Sequence, residues 1–142
     1  MTLIDTVSKS PKDTALIAAA FGADLKKGDI VLLDGLLGAG KTHFVKGIAE
    51  ALRIPDIITS PTFTIMNVYY GGALPLFHLD MYRVADADEL FETGVEDFIN
   101  SGEGITAIEW NKYDGFIGGG RVFRVGIERI DDERRKISIS ID

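Results

Sequence analysis

The chain contains no cysteine. That absence excludes disulfides, thiolate metal sites and cysteine nucleophiles together, and it permits a reducing compartment. An excess of basic charge is missing too: 15 Lys and Arg stand against 22 Asp and Glu, a net charge of −7. Such a chain repels a phosphate backbone as a whole, which disfavours direct, independent binding to nucleic acid. No apolar run approaches the roughly 20 residues that span a bilayer, and Met1-Thr2-Leu3-Ile4-Asp5 lacks a basic start and a long apolar core. The expectation is no signal peptide, no membrane span, a cytoplasmic location and a monomer. Repeats and low-complexity tracts are absent. A length of 142 residues suits one domain, large enough to bury roughly 68–70% of its unfolded surface without covalent staples.

Against this background Gly35-Leu36-Leu37-Gly38-Ala39-Gly40-Lys41-Thr42 stands out, because it fits G-x-x-x-x-G-K-[ST] at every fixed place. Its context fits as well. Ile30-Val31-Leu32-Leu33 is a short buried-strand run, and from Lys41 onward the apolar period becomes helical, with Phe44, Val45, Ile48 and Leu52 on one face. The glycines let the backbone turn and approach an anion, so that successive N–H groups form a nest at a helix N-terminus. Lys41 supplies a charge for the β- and γ-phosphates, and the Thr42 hydroxyl is suited to Mg2+. Gly38, Ala39, Gly40, Lys41 and Thr42 are therefore the expected nucleotide-binding residues. A globally acidic protein that binds a polyanion must do so by local geometry and a metal.

The remaining chain reads as α/β. Residues 2–8 suggest an edge strand. Ser10-Pro11-Lys12-Asp13 is a helix start with Ser10 as N-cap, followed by a stripe of Leu16, Ile17, Ala20 and Phe21 and a stop at Gly22. After the phosphate-loop helix, residues 57–64 form a hydroxyl-rich loop. There Thr62 is either a hydroxyl for the γ-phosphate and Mg2+ or part of a serine-proline turn. Strands at 65–70 and 74–79 flank Gly71-Gly72, and the second ends at Asp80, a position suited to a metal-linked or water-orienting acid. His78 has no second histidine or cysteine at ligand spacing, so a core or edge role is favoured over a metal. A helix starts at Asp86 and is interrupted at Gly94; its acidic run to Asp97 reads as a solvated face. Ile105-Thr106-Ala107-Ile108 is a second buried strand, delivering Glu109 and Trp110. Phe123, Val125, Ile127 and Ile137, Ile139, Ile141 alternate with polar residues around a turn at 131–134, a hairpin. Gly118-Gly119-Gly120 reads as a flexible connection rather than a second anion nest.

Taken together, Leu37-Gly38-Ala39-Gly40-Lys41-Thr42, Ser60-Pro61-Thr62-Phe63-Thr64, Phe77-His78-Leu79-Asp80-Met81-Tyr82-Arg83 and Ile108-Glu109-Trp110 resemble the TsaE (YjeE) family, small P-loop ATPases of tRNA N6-threonylcarbamoyladenosine synthesis. The resemblance covers roughly residues 10 to 113. It implies one P-loop nucleotide-hydrolase-type domain over residues 1–142, with a central, mostly parallel sheet, flanking helices and an antiparallel C-terminal hairpin. It also implies ATP and Mg2+ as cofactors, Lys41 and Thr42 on nucleotide and metal, Glu109 as the second metal-linked residue, and Asp80 and Thr62 at the γ-phosphate. Weak activity alone, work with the TsaB-TsaD transferase pair, and contact with tRNA only through that complex follow in the same way. Two places depart from the pattern: Leu36 stands where an acid is common, and Asn111 where proline often follows the Glu-Trp pair.

Three rivals carry sequence support of their own. Asn111-Lys112-Tyr113-Asp114 reads N-K-x-D, the guanine-selecting pattern of small GTPases. A small-molecule kinase would use Arg83 or Arg121 on the transferred phosphate. A nucleotide-gated binding module would need Lys41 and Thr42 but would tolerate loss of Asp80.

Overall fold

The computed structural model describes residues 1–36, 38–112 and 120–142. Its elements follow in the order β1 (Thr2–Ser8), α1 (Pro11–Gly22), β2 (Ile30–Asp34), α2 (Lys41–Ala51), β3 (Met66–Tyr69), β4 (Leu76–Asp80), α3 (Ala87–Glu92), α4 (Val95–Asn100), β5 (Ile105–Glu109), β6 (Val122–Arg129) and β7 (Arg135–Ile141). The strands form one seven-stranded sheet in the order β1-β7-β6-β2-β5-β4-β3. Its centre is parallel, with β2 between β6 and β5 and with β4 beside β5. Its flanks are antiparallel, where β7 lies between β1 and β6 and β3 returns along β4. The expected parallel centre and C-terminal hairpin are both present, and the sheet as a whole is mixed. The hairpin is no appendage, because β6 pairs along the whole of β2, Ile30 opposite Val122 through Asp34 opposite Gly126.

Parallel strands covered on both faces read as continuous apolar runs, and β2 and β5 are buried along nearly their whole length. One face carries Val31, Leu33, Ala107, Phe123, Val125, Ile137 and Ile139 against α1 and α2. The other carries Ile30, Leu32, Phe77, Leu79 and Ile108 against Val84, Leu90, Val95 and Ile99.

Local signals behave as their chemistry requires. The Ser10 hydroxyl accepts from the Asp13 amide at 3.0 Å, which bears out the cap. At α3, Asp86 accepts from the Glu89 amide at 2.9 Å while Glu89 accepts from the Ala85 amide at 2.8 Å, so part of the acidic run is a reciprocal cap. Gly94 sits at φ 76° and separates α3 from α4.

The stripe expected on α1 is present in part: Phe21 is buried and Ile17 packs against the core, while the other two members face solvent. Leu16 is 58% exposed and Ala20 is exposed, whereas Thr14, Ala18, Phe21 and Gly22 are buried. Size rather than hydrophobicity selects that face. A Cβ on Gly47 of α2 would lie 2.3 Å from the Ala15 carbonyl oxygen and 2.5 Å from the Ala18 Cβ, and one on Gly22 would lie 3.0 Å from the Ala51 Cβ. The two helices therefore meet nearly backbone to backbone, and only small residues fit between them. The helix ends at Gly22 as expected, but without a left-handed cap, and Gly22 also serves this contact. Thr14 is buried with a partner, sharing a 2.6 Å hydrogen bond with the Ser8 hydroxyl on β1.

Gly47→Ala should accordingly act as an overpacking change and cost roughly 1–3 kcal/mol, read as a lower midpoint in chemical denaturation. An unchanged midpoint would contradict the close helix contact.

Candidate nucleotide site

The central strands end together. Leu33 pairs with Glu109, and Asp80 pairs with Glu109 from the other side, so the loop after β2 and two carboxylates emerge at one edge of the sheet. Such an edge, beyond the carboxyl ends of parallel strands, is where α/β sheets hold ligands.

The loop adopts the form its glycines allow. Gly38 and Gly40 have φ of 79° and 107°, in the left-handed region. At Gly35 a Cβ would lie 2.7 Å from the Ile127 carbonyl oxygen, so the loop starts pressed against β6. Gly40 is the N-cap of α2 and provides no side-chain cap. The first-turn amides of an eleven-residue helix are thus left for an anion.

Lys41 is 5% exposed. Its ammonium donates to the Gly35 carbonyl at 2.7 Å and lies 3.7 Å from the centre of the Trp110 ring. Burial pulls its pKa below the usual lysine value, and the charges of Glu109, Asp80 and Asp34 oppose that shift. Trp110 leaves β5 at φ 56°, unusual for a bulky residue, and its ring also packs 5.0 Å from that of Tyr82.

The two acids are held differently. Asp80, 2% exposed, accepts from the Thr62 hydroxyl at 2.9 Å and from the Tyr82 amide at 2.8 Å. Glu109, 4% exposed, pairs with His78 Nε2 at 2.5 Å. His78 is wholly buried, which bears out the core placement, although its partner was not foreseen. Thr62 also shares a 2.7 Å hydrogen bond with the Ser60 hydroxyl.

Gly38, Ala39, Gly40, Lys41, Thr42, Thr62, Asp80 and Glu109 line one cleft of about 350 Å³. A larger open cleft of about 760 Å³ shares Lys41 and Trp110 but runs along Asp5, Glu128, Lys136 and Ser138. It lacks Thr42 and both buried acids, so the phosphate chemistry belongs to the smaller one. Among the described residues no group of three or more His, Asp or Glu could hold a metal by itself. The oxygen donors Thr42 and Glu109 nonetheless fit Mg2+, which binds through one or two carboxylates plus substrate phosphates and keeps several waters.

Arg135 at the start of β7 was invisible to sequence reasoning. Its guanidinium donates to the Ala39 carbonyl at 2.7 Å and to the Gly38 carbonyl at 3.3 Å, and it also holds the Asp131 carbonyl at 2.6 Å. The hairpin thereby fastens the phosphate loop, and Arg135 also lines the cleft. No motif announces this, since the contact depends on how β6 and β7 join the sheet.

The rivals fare unevenly. Arg121 forks onto Asp29, with contacts of 3.2 and 2.6 Å. Asp29 precedes β2, at the end of the strand opposite the loop, so Arg121 is no arginine finger. Arg83 lies 4.4 Å from the Phe63 ring, beside the loop that carries Thr62. Lys112 donates to the Tyr82 and Val84 carbonyls, each at 2.9 Å, which fixes it as a tie between strand exits. Tyr113 and Asp114 of the N-K-x-D reading lie outside the described residues, as do Gly118 and Gly119. At Gly120 a Cβ would lie 2.2 Å from the Gly28 carbonyl oxygen, so close packing accounts for that glycine.

The two arginines should separate on mutation. Arg121→Met removes the partner of a buried carboxylate and should cost roughly 2 kcal/mol, the charged hydrogen-bond scale, because Arg121 itself is partly exposed. It should leave nucleotide affinity unchanged. Arg135→Met should do the reverse, weakening nucleotide binding about tenfold through a loosened loop. Denaturation and nucleotide titration on both variants check this, and equal profiles would contradict it.

A comparison with protein-family models matches residues 8–137 to the family described as threonylcarbamoyl adenosine biosynthesis protein TsaE. Relatives described as tRNA threonylcarbamoyladenosine biosynthesis protein TsaE include one from Aquifex aeolicus, 38% identical over 96% of this chain and 96% of its own length. One from Treponema pallidum is 45% identical over 75% of this chain and 77% of its own. Another from Bacillus subtilis is 46% identical over 71% of this chain, and that match spans 62% of the relative's own length. Among solved structures, Bacillus subtilis YdiB superposes with a TM-score of 0.73 at 34% identity, covering 99% of this chain and 87% of that one. The chain belongs to the TsaE family.

Proposed function

We propose that the chain binds and slowly hydrolyses Mg-ATP, and that it does so in the cytoplasm in the service of tRNA N6-threonylcarbamoyladenosine synthesis, acting on or resetting the TsaB-TsaD transferase pair. The observation that carries the ATPase reading is the junction of a phosphate loop with two left-handed glycines and an uncapped helix N-terminus to two buried carboxylates on adjacent strands. The biosynthetic role rests on family membership and on the descriptions its relatives carry.

In this reading the loop amides and the α2 N-terminus bind the phosphates, and Lys41 neutralises charge that develops on the γ-phosphoryl oxygens. Thr42 and Glu109 would hold Mg2+, which would supply positive charge to the phosphates when bound. Asp80 orients a water in line with the γ-phosphorus; the water's oxygen bonds to phosphorus as the bridging bond to ADP breaks, giving ADP and phosphate. Trp110 lines the cleft and stands against the Lys41 ammonium, with Tyr82 packed on the indole.

Both oxygens of Asp80 are already engaged, by Thr62 and by the Tyr82 amide. Each oxygen keeps a lone pair for water, and because one of the two bonds comes from Thr62, a partner seated on the 57–64 loop would alter how Asp80 is held. Slow turnover alone and stimulation by a partner are expected on that account. The same observation supports the second reading, a nucleotide-gated module in which occupancy alone regulates the pair.

Phosphate release from Mg-ATP and Mg-GTP, with and without purified TsaB-TsaD, tests the reading. ATP turnover should exceed GTP turnover and rise with the pair; no effect of the pair, or a preference for GTP, would contradict it. Asp80→Asn should keep ATP affinity and lose turnover by roughly 100-fold, the scale of a lost water-orienting group. A variant that loses turnover yet still supports tRNA modification would favour the gated module.

A further inference from the structure

His78 does more than fill the core. β4 and β5 run in register with His78 opposite Ala107 and Asp80 opposite Glu109. Side chains alternate along a strand, so Leu76, His78 and Asp80 share one face with Ile105, Ala107 and Glu109, the face that α2 covers. On that face each strand passes from apolar to acidic, and His78 stands at the boundary.

The imidazole is fully buried, and its Nδ1 has no hydrogen-bond partner among the described residues. A buried polar atom without a partner costs stability, and an apolar side chain of similar size would avoid the cost. Packing therefore does not account for histidine here. What the ring supplies is a donor: Nε2 lies 2.5 Å from Glu109 Oε2. A hydrogen on Nδ1 would be a buried donor with nothing to receive it, so the proton is assigned to Nε2, which donates to the carboxylate. That bond fixes the rotation of the Glu109 carboxylate, a broad torsion when free, and commits Oε2. Asp80 needs no such device, because Thr62 and the Tyr82 amide already hold it.

We propose that His78 is a positioning residue for Glu109, presenting the carboxylate in the one orientation that receives the divalent cation arriving with the nucleotide phosphates. The proposal rests on the Mg-ATP reading above. Residues that orient a metal-binding side chain typically set metal affinity by 10–100-fold.

The test compares His78→Leu, His78→Gln and His78→Asn in the full chain. Glutamine can reach the Nε2 position with an amide donor, whereas asparagine is too short. Two quantities are measured: the ligand-free melting temperature, and the affinity for a fluorescent ATP analogue in EDTA and across a Mg2+ titration. His78→Leu leaves the buried Glu109 carboxylate without its donor, so it should melt below the wild-type temperature, and it should bind the analogue in EDTA as wild type does. It should need at least about tenfold more Mg2+ for the metal-dependent gain in affinity. His78→Gln should restore the wild-type Mg2+ requirement and His78→Asn should not. An unchanged Mg2+ requirement in folded His78→Leu, or equal losses with EDTA and with Mg2+, would overturn the proposal. If the leucine variant fails to fold, the same requirement in Gln and Asn variants would overturn it. Wild-type protein whose affinity gains nothing from Mg2+ would overturn this inference together with the Mg-ATP reading, and is thereby distinguished from failure of His78 alone.

Discussion

The register of three parallel strands governs the molecule. With Leu33 of β2 opposite Glu109 of β5, and Glu109 opposite Asp80 of β4, the loop that follows β2 has to begin beside two acids. Both are nearly excluded from solvent, as is the Lys41 ammonium. Burying any one of these charges alone would be unfavourable, and each is tolerated because the others are near. Glu109, Asp80 and Asp34 offset the desolvation that pulls the Lys41 pKa down. A slip of one residue in either pairing would turn a carboxylate to the opposite face and leave the lysine without compensation. The arrangement is thus a balanced charge cluster built on backbone pairing.

Around this cluster the rest of the chain acts as support. Small residues at the α1–α2 contact let α2 lie close to its neighbour while covering the sheet, which fixes where the helix N-terminus points. The C-terminal hairpin extends the sheet beside β2, and through Arg135 it holds two carbonyls of the phosphate loop. With those carbonyls already paired, the loop amides are left for an anion. The 57–64 segment approaches from the other side through the bond between Thr62 and Asp80. It carries Ile57 and Phe63 exposed at 85% and 81%. A loop that bonds a buried acid of the cleft with one residue and meets solvent with large apolar side chains can report occupancy to a partner, which suits a protein proposed to act on a complex.

Much of this was legible in the sequence because the relevant signals are local. The glycine spacing, the strand before it and the helical period after it place the loop without tertiary information, and the Ser10 cap, the Gly94 break and the alternation in the hairpin are equally short-range. Acids at the ends of apolar runs announced Asp80 and Glu109. What escaped depended on packing between distant segments. The buried face of α1 is set by how near α2 approaches, so Leu16 faces solvent although it is among the most apolar residues of the helix. Arg121 and Arg135 both read as cations at the start of a β-strand, yet one neutralises Asp29 at the far end of the sheet and the other holds the phosphate loop. The bond from His78 to Glu109 joins residues on different strands and could be foreseen only from the register of β4 against β5.

The central claim is that this charge cluster is a nucleoside triphosphate site centred on Lys41. Calorimetric titration of Mg-ATP into the purified protein, with Lys41→Met in parallel, tests it most directly. The account predicts saturable binding at one site in the native protein and a loss of roughly 100-fold, about 2.7 kcal/mol, in the variant under conditions where both remain folded. Equal binding by the two proteins, or none by the native one, would contradict it.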